Sequence, residues 1–590
     1  MSELKILLTV HQFFPEYASG TEVLTYSVAK ELRDQGHQVF VFTGFPAATH
    51  LEDSARFDQY ELDGIKVFRF HHAAVPMGGQ PYVTELEYCN LLAARYFKRL
   101  VVELNPDVIH FFHLSRLGAA LLDVAFSARI PAYYTPTDFW AVCPTSQLLL
   151  SDGKMCAGPT KFAGNCVKHV IQLTRGKKTN LVVQLVPERI ADGIVWLAAR
   201  DALPSHPAAR EVGALGRRKE FIVKRLNALN KIIAPTQLMS NVLIENGVND
   251  AKIIKSAYGI DTSYYDGFTR AEKTDDLVTI GFIGTLATHK GCHVLLKAIA
   301  LLKDERNLRV KIYGRGTDFP DYYAQLQDLA ANDPRIEFCG TFPNDEIGVV
   351  LSKIDVLVVP SLWYENTPLV IYSALASGCP VVASNFAGMA EAIQDGVNGM
   401  LFKPGDAKDL SEMLCKLGQD KNVLRNFQKN CKKPKSTRQY VDELLALYLE
   451  EKQNVAAHAA IQQVQDPWLK LAPFVDVREC GAMIGWAVMQ RRAPTAIRLV
   501  VDGALVSEVR DFTQRIDVLD GFKKQGVHIK SASIGFILNF PAGVDRNKAV
   551  IELVAKSGES TNIALVRIEQ GRSSSFENEV YLGLDSENWL

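Results

Sequence analysis

One carboxylate, one lysine and one serine set the first chemical question. Glu365 stands in "WYENTPLVIYSALASGCPVVAS", residues 363 to 384, just before Asn366, Thr367 and Pro368 and a helical pattern. Thr367 can cap a helix and Pro368 suits its first position, so the amides of Leu369 and Val370 are expected to point outward. Such a helix start favours an anion by about 0.3–1 kcal/mol. Lys290, in "THKG" ahead of a second helical pattern, offers a further anion contact. A diphosphate held between a lysine and a helix start fits both features. Small residues mark the same region: Thr285 follows Gly284, Gly314 and Gly316 flank Arg315, and Thr341 follows Gly340. Residues of that size let a ligand approach the backbone. Each feature also has a plainer reading. A glutamate before a helix can serve the dipole alone, a Lys-Gly loop can simply be solvated, and a GxG turn without the rest of a dinucleotide fingerprint is weak.

The first half holds a second set. His110 and His113 stand in "NPDVIHFFHLSRLG", and Asp138, Phe139 and Trp140 begin "DFWAVCPTSQLLLSDGKMCAGPTKFAGNCVKH". The aromatic pair could be core or a platform for a sugar ring. Cys143, Cys156, Cys166 and His169 could supply three sulfurs and one nitrogen to a tetrahedral zinc, although only the last two are spaced as a tight chelate. Free or packed cysteines are the alternative. Residues 161–231 carry 14 Lys and Arg against 5 Asp and Glu, a local net charge of +9. Apolar stretches such as "GIVWLAA" interrupt these charges. A basic surface striped with apolar residues suits an anionic membrane face, and equally suits solvated helices packed on a domain.

The elements that must position these residues follow a rhythm. "LKILLTV" (4–10) is a short continuous apolar run, the mark of a strand buried on both faces. A loop, "HQFFPEYASGTE", and a helical pattern from Val23 to Gln35 come next, then the strands "HQVFVFTG", "PDVIHFF" and "IPAYYTP". From 139 to about 215 clean periodicity is lost. It returns at "KIIAPT", followed by the strands "VTIGFIG", "RVKIYG", "RIEFCG", "DVLVVP" and "PVVAS" and a last helix at about 436–456. Alternating strands and helices imply parallel sheets covered on both faces, in two units. Beyond about 465 the texture becomes short β-rich runs with Asp-Gly and Ser-Gly turns, which reads as an all-β, sandwich-like domain. The expected domains are 1–230, with an insertion at about 139–215, then 231–435, a crossing helix and linker at 436–464, and 465–590.

Length and composition agree. A chain of 590 residues exceeds one core and predicts about three domains. A net charge of −1 gives no whole-molecule field for nucleic acid. No apolar run reaches the roughly 18 residues of a membrane span. Ten cysteines scattered singly through apolar segments fit a reducing compartment, so a cytoplasmic protein is expected.

In order and spacing, "IGFIGTLATHKGCHVLLKAI", "VKIYGRG", "IEFCGTF", "SLWYENTPLVIYSALASGCPVVAS" and "GMAEAIQDGVNGMLFKPGD" resemble the donor half of family-four glycosyltransferases. "PEYASGTEVLTYSVAKELRDQGHQVFVFTG" and "NPDVIHFFHLSRLG" resemble the family's opening loop, helix and histidine-bearing strand end. The resemblance covers residues 1–450 apart from the insertion. It implies the GT-B fold, an α/β architecture of two Rossmann-like domains facing a cleft. It also implies a retaining, metal-independent transferase that needs no cofactor beyond a nucleotide-sugar co-substrate. Catalytic candidates are Glu365, His113 and Lys290. The donor would meet Gly20, Thr285, Lys290, Gly314, Gly316, Thr341, Glu365, Asn366, Thr367, Leu369, Val370 and Ser373. The acceptor, a saccharide or lipid-linked saccharide of cell-surface polysaccharide synthesis, would meet Asp138, Phe139 and Trp140. A peripheral position at the inner membrane face follows from such an acceptor.

Three positions depart from that pattern. The family's second carboxylate, which holds the nucleotide ribose, falls eight residues after Glu365, on Ser373. The arginine often found after the glycine of the first strand is Thr285. The pattern H-x-H has Phe112 in place of its second histidine, leaving His113 as the candidate. A catalytically silent sugar-binding or scaffold protein of the same fold is the alternative, and a phosphorylase of that fold a weaker third.

Overall fold

A computed structural model describes residues 3–47, 50–150, 153–174, 183, 185–204, 206–265, 276–366 and 368–462. Beyond these it describes 467–472, 482–489, 495–501, 504–514, 533–539, 549–554, 560–564 and 580–582. The chain divides into two compact units, Met1–Leu449 and Glu450–Leu590.

The first unit is built on two sheets. The opening apolar run becomes β1 (Lys5–Val10), buried along all but its first residue. Around it lie β2 (Gln38–Pro46), β3 (Phe57–Leu62), β4 (Ile65–His72), β5 (Val108–Phe111), β6 (Ala132–Tyr134), β7 (Lys231–Ala234) and β8 (Ile253–Lys255). Their order is β3-β4-β2-β1-β5-β6-β7-β8, and every pair is parallel except β3 with β4. The chain leaves β1 toward β2 on one side and reaches β5 on the other. The carboxyl ends of β1 and β5 therefore flank a topological switch point, where open α/β sheets bind their ligands. The β3–β4 hairpin has no counterpart among the expected strands. A domain boundary at 230/231 is also corrected: β7 and β8 extend the first sheet, and the second sheet begins at residue 278.

The second sheet contains β9 (Val278–Ile283), β10 (Leu308–Tyr313), β11 (Ile336–Gly340), β12 (Val356–Val359), β13 (Val381–Ser384) and β14 (Gly399–Phe402). All are parallel, in the order β11-β10-β9-β12-β13-β14. Its switch point lies between β9 and β12. These strands are short and almost wholly apolar because helices cover both faces.

The insertion is more regular than its sequence suggests. It forms helices Gly164–Thr174, Glu188–Ala199 and Pro207–Leu226, which close on Val167, Val195 and Leu215. Gly213 and Gly216 allow the last two helices to touch: a Cβ at Gly213 would sit 2.5 Å from the Ala198 carbonyl. The loss of apolar period reflects this close, small-residue contact.

A closing helix, Thr437–Gln462, returns to the first sheet. Its Tyr440, Val441, Leu444, Leu445 and Tyr448 are buried with Leu4, Ile6, Leu8 and Val108. His110 points to this face, where it hydrogen-bonds Tyr448 and Thr135. It is a buried structural residue.

The described part of the second unit is all antiparallel, in sheets β19-β20-β16-β15-β23 and β18-β17-β21-β22. These are β15 (Pro467–Ala472), β16 (Ala482–Met489), β17 (Ala496–Val501), β18 (Ala504–Val509), β19 (Thr513–Gln514), β20 (Ser533–Asn539), β21 (Ala549–Val554), β22 (Ser560–Ala564) and β23 (Val580–Leu582). Among the described residues no helix is long and apolar enough to cross a membrane.

Candidate active site

At the second switch point two loops cross closely. The loop after β9 ends in the turn Thr288–Lys290 and in Gly291, whose φ is +73°. A Cβ there would lie 1.8 Å from the Pro360 carbonyl, so only glycine admits the crossing. The Leu362 amide then donates to the His289 carbonyl at 2.8 Å. This crossing carries Lys290 to the loop after β12. Its Nζ lies 2.6 Å from Glu365 Oε1, which also accepts from Ser361 Oγ at 2.9 Å and Trp363 Nε1 at 2.8 Å. Burial pushes the Glu365 carboxyl up, but the Lys290 charge and these hydrogen bonds outweigh it and hold it below its ordinary range. Glu365 is thus a buried, ionised, fixed carboxylate. Lys290 stays a quarter exposed and stands 5.2 Å over the Trp363 ring, leaving ammonium protons for a second anion. His289 makes an edge-on contact with that ring, its pKa lowered to about 4 by burial and by Lys290.

Other expected donor residues fall in different places. Pro368 occupies the cap position of helix Leu369–Ala376 without a side-chain cap, so Leu369 and Val370 supply the first helical amides. Thr367 lies outside the described residues. Thr285 and Thr341 are exposed at the carboxyl edge, and Gly20 opens the first helix with free space around it. Gly314 and Gly316 are closely packed on their Cβ side. A Cβ at Gly314 would lie 2.3 Å from the Gly284 carbonyl, and one at Gly316 2.8 Å from the Tyr323 ring. Their small size is taken up by protein atoms. Ser373 is half-buried and hydrogen-bonded to Tyr265, itself in the core.

Asn366 is a connector between loops. Its Nδ2 donates to the Pro136 carbonyl at 3.0 Å and to the Tyr258 hydroxyl at 3.1 Å, while its Oδ1 accepts from Thr236 Oγ1 at 2.9 Å. Tyr258 also donates to the Pro136 carbonyl at 2.8 Å. This buried network ties the loop after β12 to the loop after β6. Glu365 is one residue from it and Asp138 two residues, so the two sheet edges meet across it.

On the first edge, His113 follows β5. Its Nδ1 accepts from the Ser115 amide at 3.1 Å, which leaves the proton on Nε2, 2.9 Å from Asp138 Oδ2. The His11 ring lies tilted against that of His113, with the two ring centroids 4.1 Å apart. Asp138 Oδ1 accepts from the Trp140 amide at 2.8 Å. Phe139 and Trp140 are core residues, each only 1% exposed. Arg218 stacks on the Trp140 ring and donates to its carbonyl. They offer no sugar platform. Of the expected zinc ligands, Cys143, Cys156 and Cys166 lie within electrostatic range of one another. Among the described residues no group of three or more His, Cys, Asp or Glu could hold a metal ion. Cys143 contacts Thr145, Cys156 accepts from the Gly158 amide, and Cys166 and His169 are buried in the insertion.

Sequence reasoning missed His11, Glu22, His72, Ser361, Trp363 and Tyr258. Ser361 and Trp363 were legible, lying within four residues of Glu365 after an apolar strand. His11 also follows a strand end directly. Tyr258 carried no signal.

Residues 18–171 match the family model described as Glycosyltransferase Family 4, and residues 278–420 match the one described as Glycosyl transferases group 1. A D-inositol 3-phosphate glycosyltransferase of Corynebacterium glutamicum is 37% identical over 128 residues, 21% of this chain and 30% of that protein. The amylovoran biosynthesis glycosyltransferase AmsK of Erwinia amylovora is 31% identical over 206 residues, 33% and 49% of the two. The matched regions thus span only a third to a half of these relatives. Anabaena Alr3699/HepE, solved in complex with UDP and glucose, aligns over 77% of this chain and all of its own at 17% identity and a TM-score of 0.48. The fold assignment rests on the sheet orders and the two family models.

Proposed function

From a chain that carries glycosyltransferase domains in both halves of a GT-B unit, we propose a retaining transferase that moves a sugar from a nucleotide-sugar to a saccharide or lipid-linked saccharide hydroxyl. The observation that carries this reading is the Lys290–Glu365 pair, 2.6 Å apart beside a helix start and joined through Asn366 to the edge that holds His113 and Asp138.

The donor diphosphate lies against Lys290 and the amides of Leu369 and Val370, where Lys290 and the helix dipole stabilise the charge that grows as the glycosidic bond breaks. Glu365, fixed by Ser361 and Trp363, orients a hydroxyl of the transferred sugar. The acceptor approaches from the first edge, on the same face as the leaving diphosphate, which takes the acceptor proton; attack on that face preserves the anomeric configuration. His113 and Asp138 orient that acceptor hydroxyl. Ribose contact comes from groups other than position 373, because Ser373 faces Tyr265. The relative named for amylovoran biosynthesis supports a polysaccharide acceptor. The insertion shows Leu173, Leu185, Ile190, Ile194 and Trp196 exposed among Arg189 and Arg200, which supports contact with an anionic inner membrane surface from the cytoplasm.

The test is turnover with Glu365→Gln, which keeps shape and removes charge. A fall of about 10²–10³ is expected, with the product anomer of wild-type protein matching the donor and EDTA without effect. Unchanged turnover would contradict the role of Glu365. Nucleotide and sugar binding without any turnover in wild-type protein would favour the silent sugar-binding alternative that Ser373 and Phe112 suggest.

A further inference from the structure

The donor side of the site holds a side chain that the proposed mechanism does not use. His289 immediately precedes Lys290 in the turn Thr288–Lys290. Its backbone is pinned, because the His289 carbonyl accepts from the Leu362 amide at 2.8 Å beside the crossing that only Gly291 admits. Its ring is held as well. The imidazole meets the Trp363 ring edge-on, with centroids 5.2 Å apart and planes at 76°. Trp363 in turn donates to Glu365 Oε1 at 2.8 Å and carries Lys290 over its face. His289, Lys290 and Glu365 therefore gather around one indole.

Polar atoms in this group are left open. Oε1 of Glu365 takes all three donors, from Lys290, Ser361 and Trp363. Oε2 takes none among the described residues, and it is not closed off from solvent. The ring nitrogens of His289 are in the same condition: neither has a partner among the described residues, and neither is fully buried. The residue as a whole is half-buried. An imidazole so firmly held, with both nitrogens unused, stands beside a fixed carboxylate with one oxygen unused.

Two plainer accounts must be met. A histidine kept only as packing against Trp363 uses its carbon edge alone, and phenylalanine would fill the place as well. A solvated surface histidine titrates in its ordinary range, whereas burial and Lys290 lower the pKa of this one to about 4. It is therefore neutral at physiological pH and presents one N–H donor and one bare nitrogen acceptor. Such a group adds no charge on the diphosphate side, where Lys290 already serves. A sugar hydroxyl, itself both donor and acceptor, complements a neutral imidazole beside an open carboxylate oxygen. We propose that His289 reads a hydroxyl of the transferred sugar, next to the one that donates to Glu365 Oε2, and so helps to select the donor sugar. The proposal rests on the glycosyltransferase reading and adds a residue that discriminates among donors.

The test compares nucleotide with nucleotide-sugar, titrated calorimetrically into the full chain. UDP, GDP and ADP are set against UDP-glucose, UDP-galactose, UDP-N-acetylglucosamine, GDP-mannose and ADP-glucose. For the nucleotide-sugar that wild-type protein binds most tightly, its Kd is divided by that of its own nucleoside diphosphate. In His289→Phe, which keeps the edge contact with Trp363 and removes both nitrogens, that ratio should rise about tenfold. The Kd of the nucleoside diphosphate itself should stay as in wild type. His289→Ala gives the same reading should the phenylalanine protein not fold. An unchanged ratio overturns the proposal. So does a loss of nucleoside diphosphate and nucleotide-sugar binding together with a lowered melting temperature, which would make His289 a packing residue. If none of these nucleotides or nucleotide-sugars binds wild-type protein, the glycosyltransferase reading falls and the proposal with it.

Discussion

Glu365 and Lys290 form the chemical centre, and each sets the other's state. With Lys290 in place the Glu365 carboxyl lies below its ordinary value of 4.5. A lowered carboxyl contributes stability above the unfolded value and loses it as pH falls through the folded one. With Lys290→Met only burial and neutral donors remain, and burial, the largest influence, pushes the carboxyl up. Stability then belongs to the protonated form and is lost as pH rises. The difference in melting temperature between wild type and Lys290→Met should therefore widen from pH 4 to pH 7. At neutral pH it should correspond to about 1–3 kcal/mol, less than for a fully buried pair because Lys290 keeps part of its hydration. A pH-independent difference would show that the pair does not control Glu365. Glu365→Ala, which leaves Lys290 unpaired, should cost stability as well as activity, so Glu365→Gln separates the two effects.

At the scale of elements, position depends on loops rather than on strands. Asn366→Ala removes three buried hydrogen bonds and leaves Thr236 Oγ1 and the Tyr258 hydroxyl each without one partner. A loss of about 1–3 kcal/mol in urea unfolding is expected. Turnover should fall with little change in nucleotide affinity, because Lys290 and the helix start stay on one side of the network. A proportional loss of nucleotide affinity would mean that Asn366 touches the donor. The Asn366 case also shows what the sequence could and could not convey. Much of the two α/β sheets was legible because strands such as β1, β9, β12 and β13 are short apolar runs, whereas the β3–β4 hairpin, with its interleaved polar residues, was not. Glu365 and Lys290 were legible because charges beside helix starts are local features. The role of Asn366 was not, since its partners lie 108 to 230 residues away. Phe139 and Trp140 stayed open between core and platform for the same reason: Arg218, which packs on the Trp140 ring, comes from 78 residues further along the chain. The switch of β7 and β8 into the first sheet also left no trace in their composition.

For the whole molecule, the closing helix fixes how much chain the chemistry needs. Among its described side chains the buried ones run from Thr437 to Tyr448, and the first unit ends at Leu449. A chain ending at Lys452 should fold with its cooperative transition intact and transfer sugar to a small acceptor at a rate within about threefold of the full chain. It should lose efficiency chiefly on a long or membrane-borne acceptor. A folded Lys452-ended chain without small-acceptor transfer would place part of the site in the antiparallel unit. All of this depends on a nucleotide-sugar meeting Lys290 and the helix start at Leu369. Melting temperature in the presence of UDP-, GDP- and ADP-sugars tests that most directly. A ligand binding only the folded state adds about 2.7 kcal/mol at a hundredfold excess over Kd. The account predicts a clear upward shift with one nucleotide class in wild-type protein and its loss in Lys290→Met. No shift with any nucleotide-sugar, or an equal shift in the two proteins, would contradict it.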